Sequence, residues 1–95
     1  MMAVSSASRV SVPSGVLVSR AGEETVLLNL DSERYFGLDP VGTRMWEVLG
    51  AQGKVGSAYE TLLAEFDADP EQLRRDLYEL VEKLREHGLV EVVDE

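Results

Sequence analysis

The chain contains no cysteine, which excludes disulfides, thiol nucleophiles and thiolate metal sites. Its single histidine, His87, cannot form a histidine cluster. No apolar run approaches the length of a transmembrane helix. The first residues, MMAVSSASRVSV, lack the charged and continuous apolar regions of a signal peptide, so a cytoplasmic location is the default expectation. Basic residues are scarce, with 9 Lys and Arg against 18 Asp and Glu and a net charge of -9. That balance argues against nucleic acid and against anionic membranes as partners, since both require a basic face. It suits a peptide or protein partner carrying positive charge, and it suits plain solubility equally. No Walker loop, Ser-His-Asp order or zinc-ligand spacing occurs, so no catalytic residue, cofactor or metal ligand is expected.

What remains is a chain of 95 residues, enough for one small domain. Residues 1–14 are rich in Ser and Ala and are expected to form a mobile arm, ended by Pro13 and Gly15. Residues 15–95 form the domain. Val16, Leu17 and Val18 read as a first strand, closed by a turn at Ala21-Gly22-Glu23-Glu24. Thr25 to Leu30 reads as a second strand, with Val26, Leu28 and Leu30 on one face and Leu27 and Asn29 on the other. Asp31, Ser32 and Glu33 are turn formers, and Arg34 to Leu38 is the third strand of an antiparallel sheet.

Asp39-Pro40 starts a helix, with Asp as N-cap and Pro at the first helical position. Val41, Met45, Trp46 and Leu49 share one face of that helix, and Trp46 is the largest core candidate. A second helix carries Val55, Tyr59, Leu62, Leu63 and Phe66, with Ser57 as an early cap. Asp69-Pro70 starts the third, whose main stripe is Leu73, Leu77, Leu80 and Leu84. His87-Gly88 stops it, and LVEVV, residues 89–93, adds a short strand or trails the helix.

Three strands followed by three helices make an α+β fold, and helix, short turn, longer helix with a wing is a winged helix-turn-helix. That architecture admits a DNA-binding transcription regulator. However, the third helix sets Glu71, Asp76, Glu79, Glu82 and Glu86 against Arg74, Arg75, Lys83 and Arg85, a balance that repels phosphates. An interaction domain for an unrelated protein is a further reading. Peptide binding at a sheet edge is the third, because the last strand has one neighbour and a free row of backbone N–H and C=O groups. Arg34 to Leu38 is aromatic and little protected by charge, whereas a merely tolerated edge is normally blunted. On the third helix, Arg74, Tyr78, Val81 and Arg85 extend the apolar stripe sideways, and that flank is expected to floor a groove.

The block VLLNLDSERYFGLDPVGTRMWEVL, residues 26–49, resembles the PqqD-like family of precursor-recognition domains for ribosomally made, modified peptides. More narrowly it is similar to the stand-alone version of lasso peptide pathways. The resembling features are an apolar strand ending in Asn, the D-S-x-R-Y hairpin, L-D-P at the helix start and G-x-x-x-W. Glu33 stands where Gly is common at the turn, a departure that bears on turn type and not on register.

The resemblance covers about residues 16–90 and implies a non-catalytic role. It implies capture of a precursor's leader peptide and its presentation to a leader peptidase, and to the cyclase. In the family the leader adds antiparallel to the third strand and lies between it and the third helix. Transferred to this chain, the backbone template is Arg34, Tyr35, Phe36, Gly37 and Leu38. Leu73, Leu77 and Val81 form the helix side of the pocket, with Arg74 and Tyr78 at its border; spacing leaves open which of these also belong to the core, and Asp69 and Asp76 are candidates to pair with basic leader residues.

Overall fold

The alternation in Thr25–Leu28 sets the sheet. The computed structural model describes residues 4–94, and in it Thr25 and Leu27 are buried while Val26 between them is exposed. This is the period-2 pattern of a strand with one face packed. Four strands precede the helices: β1 (Ser8–Ser11), β2 (Val16–Ala21), β3 (Glu24–Asn29) and β4 (Arg34–Leu38). The third strand expected from sequence is therefore β4. β2, β3 and β4 form an antiparallel sheet in that order, with Leu27 opposite Phe36 and Leu28 opposite Tyr35.

Three helices follow: α1 (Pro40–Gln52), α2 (Val55–Glu65) and α3 (Pro70–Glu86). The Asp39 carboxylate accepts from Gly42 N at 2.7 Å, and Asp69 accepts from Gln72 N at 3.1 Å. Each satisfies one of the orphan donors of a first turn. Ser57, expected as the cap of α2, lies inside that helix. The N-cap is Lys54, without a side-chain cap. The carbonyl of Ser6 replaces it, accepting from Gly56 N at 3.0 Å.

That contact corrects the expectation of a mobile arm over residues 1–14. Of these, residues 1–3 lie outside the described residues. Val4 is buried, and β1 pairs antiparallel with a final strand, β5 (Glu91–Asp94), in a second, two-stranded sheet. Ser8 is fully buried, and its hydroxyl donates to the Asp94 carboxylate at 2.5 Å. The β-branched residues Val10 and Val92 find each other across the register, which neither segment reveals alone.

The core has two parts. Met45, Val48, Leu49, Leu62, Leu77 and Val81 pack the three helices together. Leu27, Leu38, Leu84, Leu89 and Val90 fill the space under the sheet. Full burial of each such side chain is worth roughly 1.5–3 kcal/mol. Trp46, expected as the largest core member, is half-buried at the margin of the second cluster. Val41, expected on the packed face of α1, is exposed, because it borders an open surface pocket beside Leu38 and Met45. The outward sheet face carries Leu17, Val26, Leu28 and Tyr35, and Leu30 is exposed in the turn beyond it.

Candidate functional site

β4 is hydrogen-bonded to β3 alone, so among the described residues its other edge has no ladder partner. Beside that edge runs a groove of about 390 Å³. Phe36, Gly37 and Leu38 form its strand side. The start of α1 closes one end with Asp39, Val41, Gly42 and Met45. α3 forms the far wall with Asp76, Glu79, Leu80 and Lys83.

Local chemistry sets the position of β4. The Asn29 side chain turns the chain into it: Oδ1 accepts from the backbone N–H of Asp31 at 2.9 Å and of Ser32 at 3.3 Å. Glu33 then takes φ 59°, the left-handed region where a glycine is common. The other end of the Asn29 amide donates to the carbonyls of His87 and Gly88, at 3.2 and 3.1 Å. The turn before β4 is thereby tied to the end of α3. Phe36 meets the His87 ring edge-on, with centroids 5.1 Å apart. The His87 Nδ1 donates to the carbonyl of Lys83 at 2.7 Å, which holds the ring in place. An added Cβ at Gly37 would meet nothing within 4 Å, so the free protein leaves that part of the strand open.

The polar side chains of the wall are unequally engaged. Asp39 is used as a cap, and Asp76 accepts from the Gln72 amide at 2.9 Å. Glu79 and Lys83 are exposed and form no side-chain hydrogen bond or ion pair among the described residues. The stronger ion pairs lie elsewhere. Arg44 binds Glu65 through paired contacts of 2.6 and 2.7 Å, and Glu47 bridges Arg44 and Arg20. The hydrogen bond from Arg44 lowers the Glu65 pKa, and those from Arg20 and then Arg44 lower that of Glu47. Arg44 is raised in turn, chiefly by Glu65. This network joins β2, α1 and α2 and takes no part in the groove. No group of His, Asp or Glu among the described residues is arranged to hold a metal ion.

The residues singled out from sequence separate in space. Phe36, Gly37 and Leu38 come together in the groove. Arg34 is exposed at the start of β4, and Tyr35 points to the outward sheet face, 71% exposed. Leu73, Leu77 and Val81, expected on the helix side of the pocket, are 0–3% exposed, belong to the helical core and do not line this groove in the free protein. Arg74 and Tyr78 pack on each other, 5.8 Å from guanidinium to ring centroid, on the flank of α3 away from β4. The hydrogen bond that Arg74 donates to the Glu71 carboxylate raises the Arg74 pKa there.

Of the helix-side residues, Asp76 was singled out from sequence as a partner for basic leader residues, whereas Glu79, Leu80 and Lys83 were not placed in the groove. At about 100° per residue, Arg74 and Tyr78 fall on one side of the stripe Leu73-Leu77-Val81-Leu84, and Asp76, Leu80 and Lys83 on the other. Leu80 was the available signal, an apolar residue displaced from the stripe centre towards this second flank.

A family model described as coenzyme PQQ synthesis protein D (PqqD) matches residues 24–90. Among solved structures, TbiB1 in complex with the TbiA(beta) leader peptide is 31% identical to this chain. It superposes with a TM-score of 0.77 and covers 84% of this chain and 93% of its own. Lasso peptide synthetase B1, complexed with its leader peptide, also superposes with a TM-score of 0.77. It is 20% identical, over 87% of this chain and 98% of that one, a likeness of fold. No curated protein matches.

Proposed function

This chain belongs to the PqqD family, and we propose that it binds the leader segment of a ribosomally made precursor peptide of the lasso type. The observation that carries this reading is the vacant edge of β4 beside an open groove. It lies in a fold shared with a 31% identical protein that was solved with a leader peptide bound.

An extended peptide laid antiparallel along Arg34–Leu38 becomes a fourth strand. Its main chain satisfies backbone groups that are otherwise left to water, and these bonds give affinity. Every second side chain points inward, over Phe36, Leu38, Leu80 and Met45. Those apolar walls accept aromatic or Pro side chains and reject charged ones, which gives specificity. Gly37 leaves room for close approach. In this reading Arg74 and Tyr78 lie outside the pocket.

The role is non-catalytic. The bound leader is delivered in the cytoplasm to a leader peptidase and to a cyclase. The exposed apolar face of Leu17, Val26 and Tyr35 supports such a handover, because contiguous apolar sheet surface favours protein contact. The helix order supports the winged helix-turn-helix description. The acidity of the outer face of α3 weighs against DNA as the partner.

The test is a titration of the folded protein with the leader half of its precursor, followed by fluorescence anisotropy. Saturable binding at low micromolar peptide is expected. No binding at tens of micromolar would overturn the reading, and salt-sensitive binding to duplex DNA would replace it with the regulator.

A further inference from the structure

The groove is electrically polarised along its length. Phe36 packs on His87 at the C-terminal cap of α3, and Asn29, opposite Arg34, holds the same cap. The start of β4 therefore lies at the C-terminal end of α3. At its other end β4 passes into Asp39 and the first turn of α1, which share the groove with Asp76. Asp76 and Lys83 are separated by seven residues, about 10 Å along the helix.

Travelling from the end of β4 back to its start, a ligand meets Asp39, Asp76 and Glu79 first and Lys83 last. Lys83 is the one cation lining this groove among the described residues, and exposed Arg34 stands beyond it at the start of β4. Glu82 and Glu86 do not line this groove: they line a neighbouring shallow one with Val4 and Tyr78, which Glu79 and Lys83 also border, and Glu82 is paired with Arg85 at 2.6 Å.

We infer that the groove reads the charge order of its peptide: a cationic residue N-terminal to the strand-forming segment and an acidic residue C-terminal to it. The inference rests on the leader-binding reading and on antiparallel addition to β4. The side chains available to do this are Glu79 and Lys83, since neither has a partner in the free protein. No existing pair has to be broken for them to meet a ligand, so the usual cost of separating partners does not arise. The same polarity opposes a peptide entering in the reverse direction, because both of its charged ends would face like charges.

The probes are two fluorescein-labelled peptides built on the precursor's own leader, with the strand-forming segment unchanged. One carries Lys on its N-terminal side and Glu on its C-terminal side, and the other carries the reverse. The expected result is roughly fivefold tighter binding of the Lys-first peptide at low salt, with the gap closing at high salt. Glu79→Lys combined with Lys83→Glu should invert the preference. Both side chains are exposed and unpaired, so the doubly changed chain should keep its circular dichroism spectrum and melting temperature. Equal binding of the two peptides, or tighter binding of the Glu-first peptide, would overturn the charge reading while leaving leader binding intact. Binding of neither would remove both.

Discussion

The amide nitrogen of Asn29 donates to the main-chain carbonyls of both His87 and Gly88, so the turn that launches β4 is fastened to the end of α3. The two walls of the groove are thus joined at one end by a single side chain. Its oxygen is occupied as well, by the N–H groups of Asp31 and Ser32. One residue shapes the turn and sets how far β4 stands from the helix.

Asn29→Ala removes all four contacts and leaves the part-buried carbonyl of His87 without this partner. A loss of about 1–3 kcal/mol is expected, read as a lower urea midpoint, together with weaker leader binding. Gly88→Ala should act on the same joint from the other side. Its new Cβ would lie 2.7 Å from the Asn29 amide nitrogen, at a φ of +69° that side chains disfavour. Unchanged stability in both variants would mean that the joint does not hold the groove.

Glu33 supplies the opposite case, a strained residue with a simple remedy. Its φ of 59° costs a non-glycine residue about 1–2 kcal/mol. Glu33→Gly relieves that strain, partly offset by a freer unfolded chain. A gain of up to about 1 kcal/mol is expected in thermal unfolding, with leader affinity unchanged because the β3–β4 register stays the same.

The two flanks of α3 make separable predictions. Leu80→Ala should weaken leader binding roughly tenfold, by removing an apolar wall. Tyr78→Ala and Arg74→Ala should leave affinity within about twofold, a difference worth less than the resolution of most contact arguments. Leu77→Ala lies between them, in the core, and should cost about 2–5 kcal/mol of stability. Calorimetric titration paired with melting curves distinguishes the three. A strong loss of affinity in Tyr78→Ala would move the site to the other flank.

The Arg44–Glu65 pair predicts a pH dependence. The folded-state pKa of Glu65 lies below its ordinary value, so the pair's stabilisation is present above the usual carboxylate range and is lost as pH falls through the depressed value. Glu65→Gln should melt lower than the parent near neutral pH, and the two curves should converge in acid. High salt should narrow the gap as well, since the pair is exposed to solvent. A gap independent of both pH and salt would mean that the pair adds no electrostatic stability.

The sequence by itself determined the elements governed by neighbours along the chain. Asp39-Pro40 and Asp69-Pro70 start helices because a carboxylate one residue before a proline satisfies the first turn. The Asp31–Glu33 turn and the alternation of β4 are equally local, and so is the acidity that turns attention from nucleic acid to peptide. Phe36, Gly37 and Leu38 were legible as part of an edge strand for the same reason, and they line the candidate groove.

Only the tertiary structure decided which flank of α3 faces β4, because Arg74-Tyr78 and Asp76-Leu80-Lys83 border the same buried stripe with similar amphipathic character. It also decided that Leu27, and not Val26 or Leu28, enters the core, since a strand apolar on both faces carries no internal sign of which face is packed. Residues 4–11 became a strap for one further reason: Ser8 meets Asp94 across 86 positions of chain. A pairing at that separation leaves no local pattern and exists only once the helices between have folded.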